Sequence, residues 1–202
     1  MRNVIYLFII ALSLLTSCGL RLKPFDIESQ RQEIEIARYD RLQSRYLATG
    51  DYSALQEMNT EYPIETRTLI EKVLQIGEVV DPNISTKYLH FYQDSTLQSL
   101  ISDTEAEYAD MTDLNKRFNK SFDRLLKWIP SLPIPRIYAQ IGALDQSVII
   151  GNKTIGICLD KYLGINYPLY LKYYTYQQRV SMTRAYIVPD CLAFYLLSVY
   201  PI

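Results

Sequence analysis

The spacing of apolar residues changes once along the chain and divides it into a helical part and a mixed part. From residue 30 to about residue 130, apolar side chains recur every three or four positions, as in amphipathic helices. This spacing predicts five helices, at residues 30–47, between 51 and 62, and at 65–76, 96–109 and 112–128. Asp51 or Ser53 can cap the second of them.

Three prolines, Pro130, Pro133 and Pro135, end the helical spacing. After them, short β-branched runs alternate with turn residues over 136–160, which predicts a small antiparallel sheet joined by hairpins. A last helix at residues 190–200 is apolar on nearly all sides and is predicted to be buried. The pattern therefore predicts an α+β fold, with the helical part (30–130) packed on the sheet.

The first residues predict an export signal with a lipid anchor. A basic Arg2 precedes a run of twelve uncharged residues, Val4–Leu15, which is too short to span a membrane and is typical of a signal peptide. Leu15–Cys18 is similar to a lipoprotein cleavage site, where a diacylglycerol is attached to the cysteine thiol. We therefore expect a signal peptide (1–17), a lipidated tether (18–29) and a single domain (30–202). The alternatives are a plain secretory signal with an incidental cysteine and an unprocessed membrane anchor.

Composition excludes several kinds of site. The net charge is −1, which argues against a nucleic-acid-binding face. His90 is the only histidine, so zinc sites that need two histidines are excluded; it lies between Tyr88 and Tyr92 and is expected to pack with them. Cys158 and Cys191 either form a disulfide or remain buried thiols, and the sequence leaves both open.

Three carboxylates, Asp145, Asp160 and Asp190, stand at predicted strand or helix ends. Two of them in one cleft could serve as the acid and base of a hydrolase. The structural interpretation is favoured: Asp160 caps a turn after a strand, and Asp190 lies at a helix start, where a negative charge is stabilising. Gly151–Thr154 contains a GxKT string, but its flanking strands predict a hairpin turn rather than a phosphate-binding loop.

Tyrosine is the most unusual component, with eighteen in the chain. The segment Tyr167–Tyr176 could present rings to a sugar or to a protein partner, because tyrosine combines an apolar ring with a polar end. The tyrosines could also lie at a membrane interface beside the lipid anchor. A position at the boundary between core and surface is the favoured interpretation.

Several short motifs, in order, carry a resemblance to a known family. The two strongest are Leu159–Gly164 (LDKYLG) and Ile187–Asp190 (IVPD). The others are Ile36–Asp40, Tyr62–Pro63, Asp94–Leu97 and Lys127–Pro130, with Pro133 and Pro135 following. With the lipoprotein signal before them, they make the chain resemble the gliding-motility lipoprotein GldB family.

The resemblance implies a lipid-anchored, periplasm-facing protein of the bacterial cell envelope, with the outer membrane preferred over the inner one. It implies a partner-binding role beside other envelope proteins in a motility or secretion assembly. The residues it singles out are Asp160, Gly164, Pro189 and Asp190. Because family members are typically longer, we expect the chain to be truncated at its C-terminus.

The family also looks like a degenerate relative of zinc-dependent proteases. Their metal-binding helix would correspond to the last helix, where Phe194, Tyr195 and Ser198 stand in place of the zinc ligands and the catalytic glutamate. These side chains cannot hold zinc, so the resemblance implies a zincin-like scaffold without metal or cofactor, and no enzyme activity. The alternatives are an envelope hydrolase using Asp145, Asp160 or Asp190, and a carbohydrate- or peptide-binding lipoprotein.

Overall fold

The computed structural model describes residues 33–201, which contain a helical part, a three-stranded sheet and a second group of helices. The predicted signal peptide, the predicted lipid attachment at Cys18 and the predicted tether lie outside these residues. The helices are α1 (Tyr39–Thr49), α2 (Tyr52–Glu61), α3 (Pro63–Thr68), α4 (Ile84–Phe91), α5 (Ser95–Glu107), α6 (Thr112–Trp128), α7 (Pro168–Tyr173), α8 (Tyr176–Arg179) and α9 (Ile187–Val199). The strands are β1 (Arg136–Gln140), β2 (Val148–Gly151) and β3 (Thr154–Cys158). A π-helix (Leu69–Val73) follows α3, and 3₁₀ turns occupy Leu159–Lys161 and Arg184–Tyr186.

The α+β class is confirmed, and most predicted helices lie close to their expected positions. Asp51 caps α2 by accepting a hydrogen bond from the Ser53 amide at 2.8 Å. The prediction of a helix from residue 30 was wrong over residues 33–38, because α1 begins only at Tyr39. Ala37 instead forms a parallel bridge with Tyr138, and its amide donates to the Ile137 carbonyl at 2.9 Å along the edge of β1. Helix α4 was not predicted.

The sheet is mixed rather than antiparallel, which corrects the predicted meander. Its order is β1-β3-β2: β3 pairs in parallel with β1 and antiparallel with β2. The hairpin between β2 and β3 is confirmed at Gly151–Thr154, with Lys153 in the left-handed region. Since β3 lies between β1 and β2, the connection from β1 to β2 has to pass the carboxyl end of β3.

Apolar side chains form two clusters, one on each face of the sheet. On β1, Ile137 and Ala139 belong to one cluster, with Phe118 of α6 and Cys191 of α9. The intervening Tyr138 belongs to the other cluster, which α1, α2, the π-helix and α4 complete. The alternation of side chains along a strand therefore places the sheet between two helical layers.

Many tyrosines belong to the core, which the sequence did not establish. Seven are among the largest fully buried side chains: Tyr39, Tyr46, Tyr88, Tyr92, Tyr108, Tyr162 and Tyr170. Each of the seven hydroxyls has a hydrogen-bond partner, and four of them donate to backbone carbonyls. Burying these rings therefore leaves no hydroxyl unsatisfied, and the hydroxyls connect separate elements.

Two further expectations, on α9 and on His90, are corrected, and the open question about the two cysteines is decided. Helix α9 is not buried all round, because Phe194 and Leu197 are each 48% exposed. His90 is exposed and lies 3.1 Å from the Gln93 amide oxygen, so it does not pack inside the aromatic cluster. Cys158 and Cys191 are both buried free thiols and not a disulfide. Burial raises the pKa of both thiols, so they remain protonated.

Candidate functional site

The centre of the candidate site is Asp160, in the 3₁₀ turn that follows β3. Its side chain is completely buried. One carboxylate oxygen accepts the Gly142 amide at 2.7 Å, and the other accepts the Leu144 amide at 2.6 Å. Both amides belong to the loop from β1 to β2, so Asp160 holds that loop where it passes the end of β3.

The loop has an unusual backbone that suits a carboxylate. Ala143 and Leu144 both have positive φ, 52° and 65°, which costs roughly 1–2 kcal/mol for each non-glycine residue. Amides in such conformations can converge on an anion. Gly142 allows the loop to lie close to β3, since a Cβ there would be 2.8 Å from the Cys158 sulfur. The predicted role of Asp160 as a turn cap is therefore extended: it binds the neighbouring loop.

Burial raises the pKa of the Asp160 carboxyl above its ordinary value, and the hydrogen bonds from Gly142 and Leu144 oppose this rise. The carboxylate is surrounded by protein and has both oxygens occupied. It therefore has the position of a structural group rather than of one that exchanges protons with a substrate.

Tyr170 of α7 binds the same turn from the other side. Its buried hydroxyl donates to the Asp160 carbonyl and accepts the Leu163 amide at 3.1 Å. The Tyr170 ring contacts Tyr167 and Tyr174, with centroids 5.0 Å and 5.9 Å away. Part of the tyrosine-rich segment therefore supports the Asp160 turn.

Gly164 continues the turn with a φ of 111°, a conformation that side chains disfavour. Its amide donates to the Met182 carbonyl at 3.0 Å, and Leu163 forms a β-bridge with Thr183. These contacts place the segment leading into α9 beside the turn. Gly164 acts on the site through the backbone alone.

Asp190, in the first turn of α9, has a different environment. It is half-buried, and one carboxylate oxygen accepts the Tyr162 hydroxyl at 2.9 Å. Burial raises the pKa of the Asp190 carboxyl, while the hydrogen bond from Tyr162 lowers it. Pro189 beside it is exposed in the first turn of the helix, where its missing amide proton has no intrahelical partner to lose.

Asp190 lies on the wall of a cleft of about 270 Å³. The cleft is lined by Ser147, Lys161, Tyr162, Tyr174, Gln178, Ser181, Met182 and Asp190. The Lys161 ammonium lies 4.5 Å from the centre of the Tyr174 ring and donates to the Tyr174 hydroxyl at 3.1 Å. The walls therefore offer a carboxylate, an ammonium, an amide and hydroxyls to a polar ligand or a partner's side chains.

The structure does not bring the three predicted carboxylates together in this cleft. Asp160 is enclosed by the loop, and Asp145 is exposed on the loop surface; neither lines the cleft, which Asp190 does. Acid–base chemistry by a pair of aspartates therefore has no support in this arrangement.

Phe194, Tyr195 and Ser198, which the sequence resemblance placed at the positions of a zinc-binding motif, lie on α9, and two of them form structural hydrogen bonds. The Tyr195 hydroxyl donates to the Pro133 carbonyl at 2.9 Å, and the Ser198 hydroxyl donates to the Tyr195 carbonyl at 2.7 Å. Phe194 is half exposed on the same helix. Within residues 33–201, no group of three His, Cys, Asp or Glu side chains is placed to hold a metal ion.

Gln43 contributes to this region and was missed by the sequence analysis. It is completely buried in α1; its amide oxygen accepts the Ile141 amide at 2.9 Å, and its amide nitrogen donates to the Ile141 carbonyl at 3.2 Å. It therefore holds the start of the loop that Asp160 binds. The available signal was its spacing: it lies four residues after Tyr39 and three before Tyr46, on the apolar face of the helix.

The fold and the site define an α+β protein in which a buried carboxylate holds a loop beside a small polar cleft. A family profile described as gliding motility protein GldB matches residues 22–202, and the chain belongs to this family. No curated protein and no solved structure matches it, so the zincin comparison gains no support. Membership in this lipoprotein family indicates a cell-envelope location. None of the helices in the described part of the chain is long and apolar enough to cross a membrane.

Proposed function

We propose that this protein is a lipid-anchored, periplasm-facing and non-catalytic component of a gliding-motility or secretion assembly, with the outer membrane as its location. Cys18 carries the anchor. The cleft beside Asp190 and the surface around it bind another envelope protein.

The non-catalytic part of the proposal depends chiefly on one observation. Asp160, in the strongest family motif, is completely buried and has both oxygens occupied by backbone amides. These two hydrogen bonds account for a carboxylate at position 160 without assigning it a catalytic role. Asp190 is the carboxylate that lines the neighbouring cleft, and it accepts a hydrogen bond from the Tyr162 hydroxyl.

The partner-binding part depends on what surrounds the cleft. Segment 168–179 supplies Tyr174 and Gln178 to the cleft, and it also carries exposed apolar side chains: Leu171 is 55%, Tyr173 61% and Tyr176 62% exposed. Exposed aromatic residues around a polar depression are typical of protein interfaces.

The test is complementation of cells that lack the native gene, read as motility and envelope integrity. Asp190→Asn keeps an oxygen that accepts from Tyr162, so the proposal expects complementation to be retained. Ser181→Trp places a large ring in the cleft and is expected to abolish complementation while the chain stays in the membrane fraction. Thr60→Trp, on the exposed surface of α2, is the control for adding a ring of this size.

The hydrolase alternative predicts the reverse for Asp190. Loss of complementation by Asp190→Asn, with an unchanged melting temperature, would contradict the non-catalytic role. Normal complementation by Ser181→Trp would show that the cleft is not the partner site. Replacement of Cys18 by Ser tests the anchor, since the chain should then leave the membrane fraction.

A further inference from the structure

Helix α6 is two-sided, and its outer side is basic. Leu114, Phe118 and Phe122 point into the core. Lys116, Lys120 and Lys127 are exposed, and their spacing of four and seven residues places them on the opposite side. Arg124 is exposed beside them, and the acidic residues on this side are Asp123 and Asp113, the second of which forms an ion pair with Arg184. The whole chain is slightly acidic, so this basic face is a local concentration of charge.

An exposed tryptophan borders this face at the end of the helix, about 100° around the axis from Lys127 and in line with Arg124. Trp128 is the last residue of α6 and the chain's only tryptophan, and its side chain is 86% exposed. Tryptophan is enriched at the interface between membrane and water, where its ring meets acyl chains and its N–H meets polar groups. Lysines near an anionic lipid surface are attracted to it. Trp128 and the three lysines together are the combination that such a surface binds.

The chain also enters the domain beside α6. The Asn119 side chain accepts the Ile34 amide at 2.9 Å and donates to the Ile34 carbonyl at 2.8 Å. The Asn115 side chain accepts the Ile36 amide at 3.1 Å. Ile34 follows Cys18 by sixteen positions, a distance of at most about 55 Å along an extended chain. The connection from an anchor at Cys18 is therefore long enough to let α6 reach the membrane.

We propose that the outer face of α6, formed by Lys116, Lys120 and Lys127 and bordered by Trp128, docks on an anionic membrane surface. The inference relies on the lipid anchor of the proposed function and adds the orientation of the domain. Elements other than α6 form the cleft beside Asp190. The cleft therefore stays accessible to a protein partner when α6 docks on the membrane.

The test uses the full lipidated chain inserted into two kinds of vesicle, one of phosphatidylcholine alone and one containing phosphatidylglycerol. Trp128 fluorescence reports the docking directly, because no other tryptophan contributes. Docking predicts a blue-shifted emission and lower quenching by acrylamide on the phosphatidylglycerol vesicles, and raised salt should reverse both.

The decisive variant is Lys116→Gln, Lys120→Gln and Lys127→Gln together, which should lower the ratio of docked to undocked protein about a hundredfold. The matched control replaces three exposed lysines elsewhere, Lys72, Lys153 and Lys172, with Gln. It loses the same charge and should dock as the unmodified chain does.

Flotation with the phosphatidylcholine vesicles tests the anchor alone, so its failure is distinguishable from a failure of docking. Equal Trp128 quenching on the two kinds of vesicle would overturn the docking proposal and indicate a protein partner for the basic face. Equal loss of shielding in both triple variants would also overturn it, because it would show a general effect of charge.

Discussion

Asp160 and Asp190 stand on two sides of the same turn and have opposite environments. Asp160 is completely buried, and both of its oxygens accept backbone amides. Asp190 is half-buried, accepts one tyrosine hydroxyl and faces a cleft. The sequence presents them alike, each at the end of a regular element and each within a family motif.

The difference arises from the order of the strands. Because β3 lies between β1 and β2, the connecting loop passes the end of β3 and brings its amides to Asp160. No such loop covers Asp190 at the start of α9. Two aspartates that a motif presents as one functional cluster can therefore have separate roles, one in folding and one at a surface.

The largest expected effect is the loss of the Asp160 carboxylate. Asp160→Ala leaves two buried amides without acceptors and removes the group that holds two left-handed residues, so it should lower the free energy of unfolding by about 3–5 kcal/mol. Chemical denaturation followed by circular dichroism measures it. Asp145→Ala on the exposed surface of the same loop is the control and should have little effect. Equal losses for the two variants would contradict the structural role of Asp160.

Replacing each aspartate by asparagine should also distinguish the two sites, but with a smaller difference in the free energy of unfolding. Asp160→Asn turns one acceptor into a donor that faces a backbone amide, so it should cost about 1–3 kcal/mol of unfolding free energy. Asp190→Asn keeps an oxygen for the Tyr162 hydroxyl and should cost less than about 1 kcal/mol. The same denaturation measurement decides between them. A reversed order would mean that the closed and open environments have been assigned to the wrong residues.

The smallest expected effect concerns protonation. Tyr162→Phe removes the hydrogen bond that lowers the pKa of Asp190, so that pKa should rise further above the ordinary value of 3.8, with no matching change at Asp160. Titration of the carboxyl carbons by NMR measures both groups. A lower Asp190 pKa in the variant would contradict the assigned hydrogen bond.

The effect on stability follows from the sign of the shift. Because the Asp190 pKa is higher in the folded state, its contribution to the free energy of unfolding is greatest below the unfolded-state value. That contribution is lost as the pH rises through the folded-state pKa. Tyr162→Phe should enlarge this loss.

Local pattern predicted much of the secondary structure. Helices α5 and α6 and the three strands lie within a few residues of their predicted positions, and Asp51 caps α2. The exception at residues 34–38 has a physical cause: Ala37 pairs with β1, about a hundred positions away, and Ile34 and Ile36 bond to α6, and local spacing cannot indicate such partners.

The candidate site was less predictable than the elements. Asp160 and Asp190 stand out in the sequence as candidate site residues, but their different environments depend on which strands β3 pairs with. Gln43, Tyr108 and Tyr170 were missed as individual residues, because a tyrosine bonded to a distant carbonyl looks the same in sequence as one at the surface. Their partners are 98, 54 and 10 positions away.

The sequence by itself determined the α+β class, the helical spacing, the hairpin at Gly151–Thr154 and the motifs that make this chain a member of the GldB family. Each depends on residues close together in the chain or on their order along it. Only the tertiary structure decided the strand order, the burial of Asp160 and the exposure of one side of α9. The physical reason is that strand pairing and burial depend on which distant segments of the chain come together. Every residue except proline has the same backbone amide, so the sequence does not indicate which amides will bind a given carboxylate.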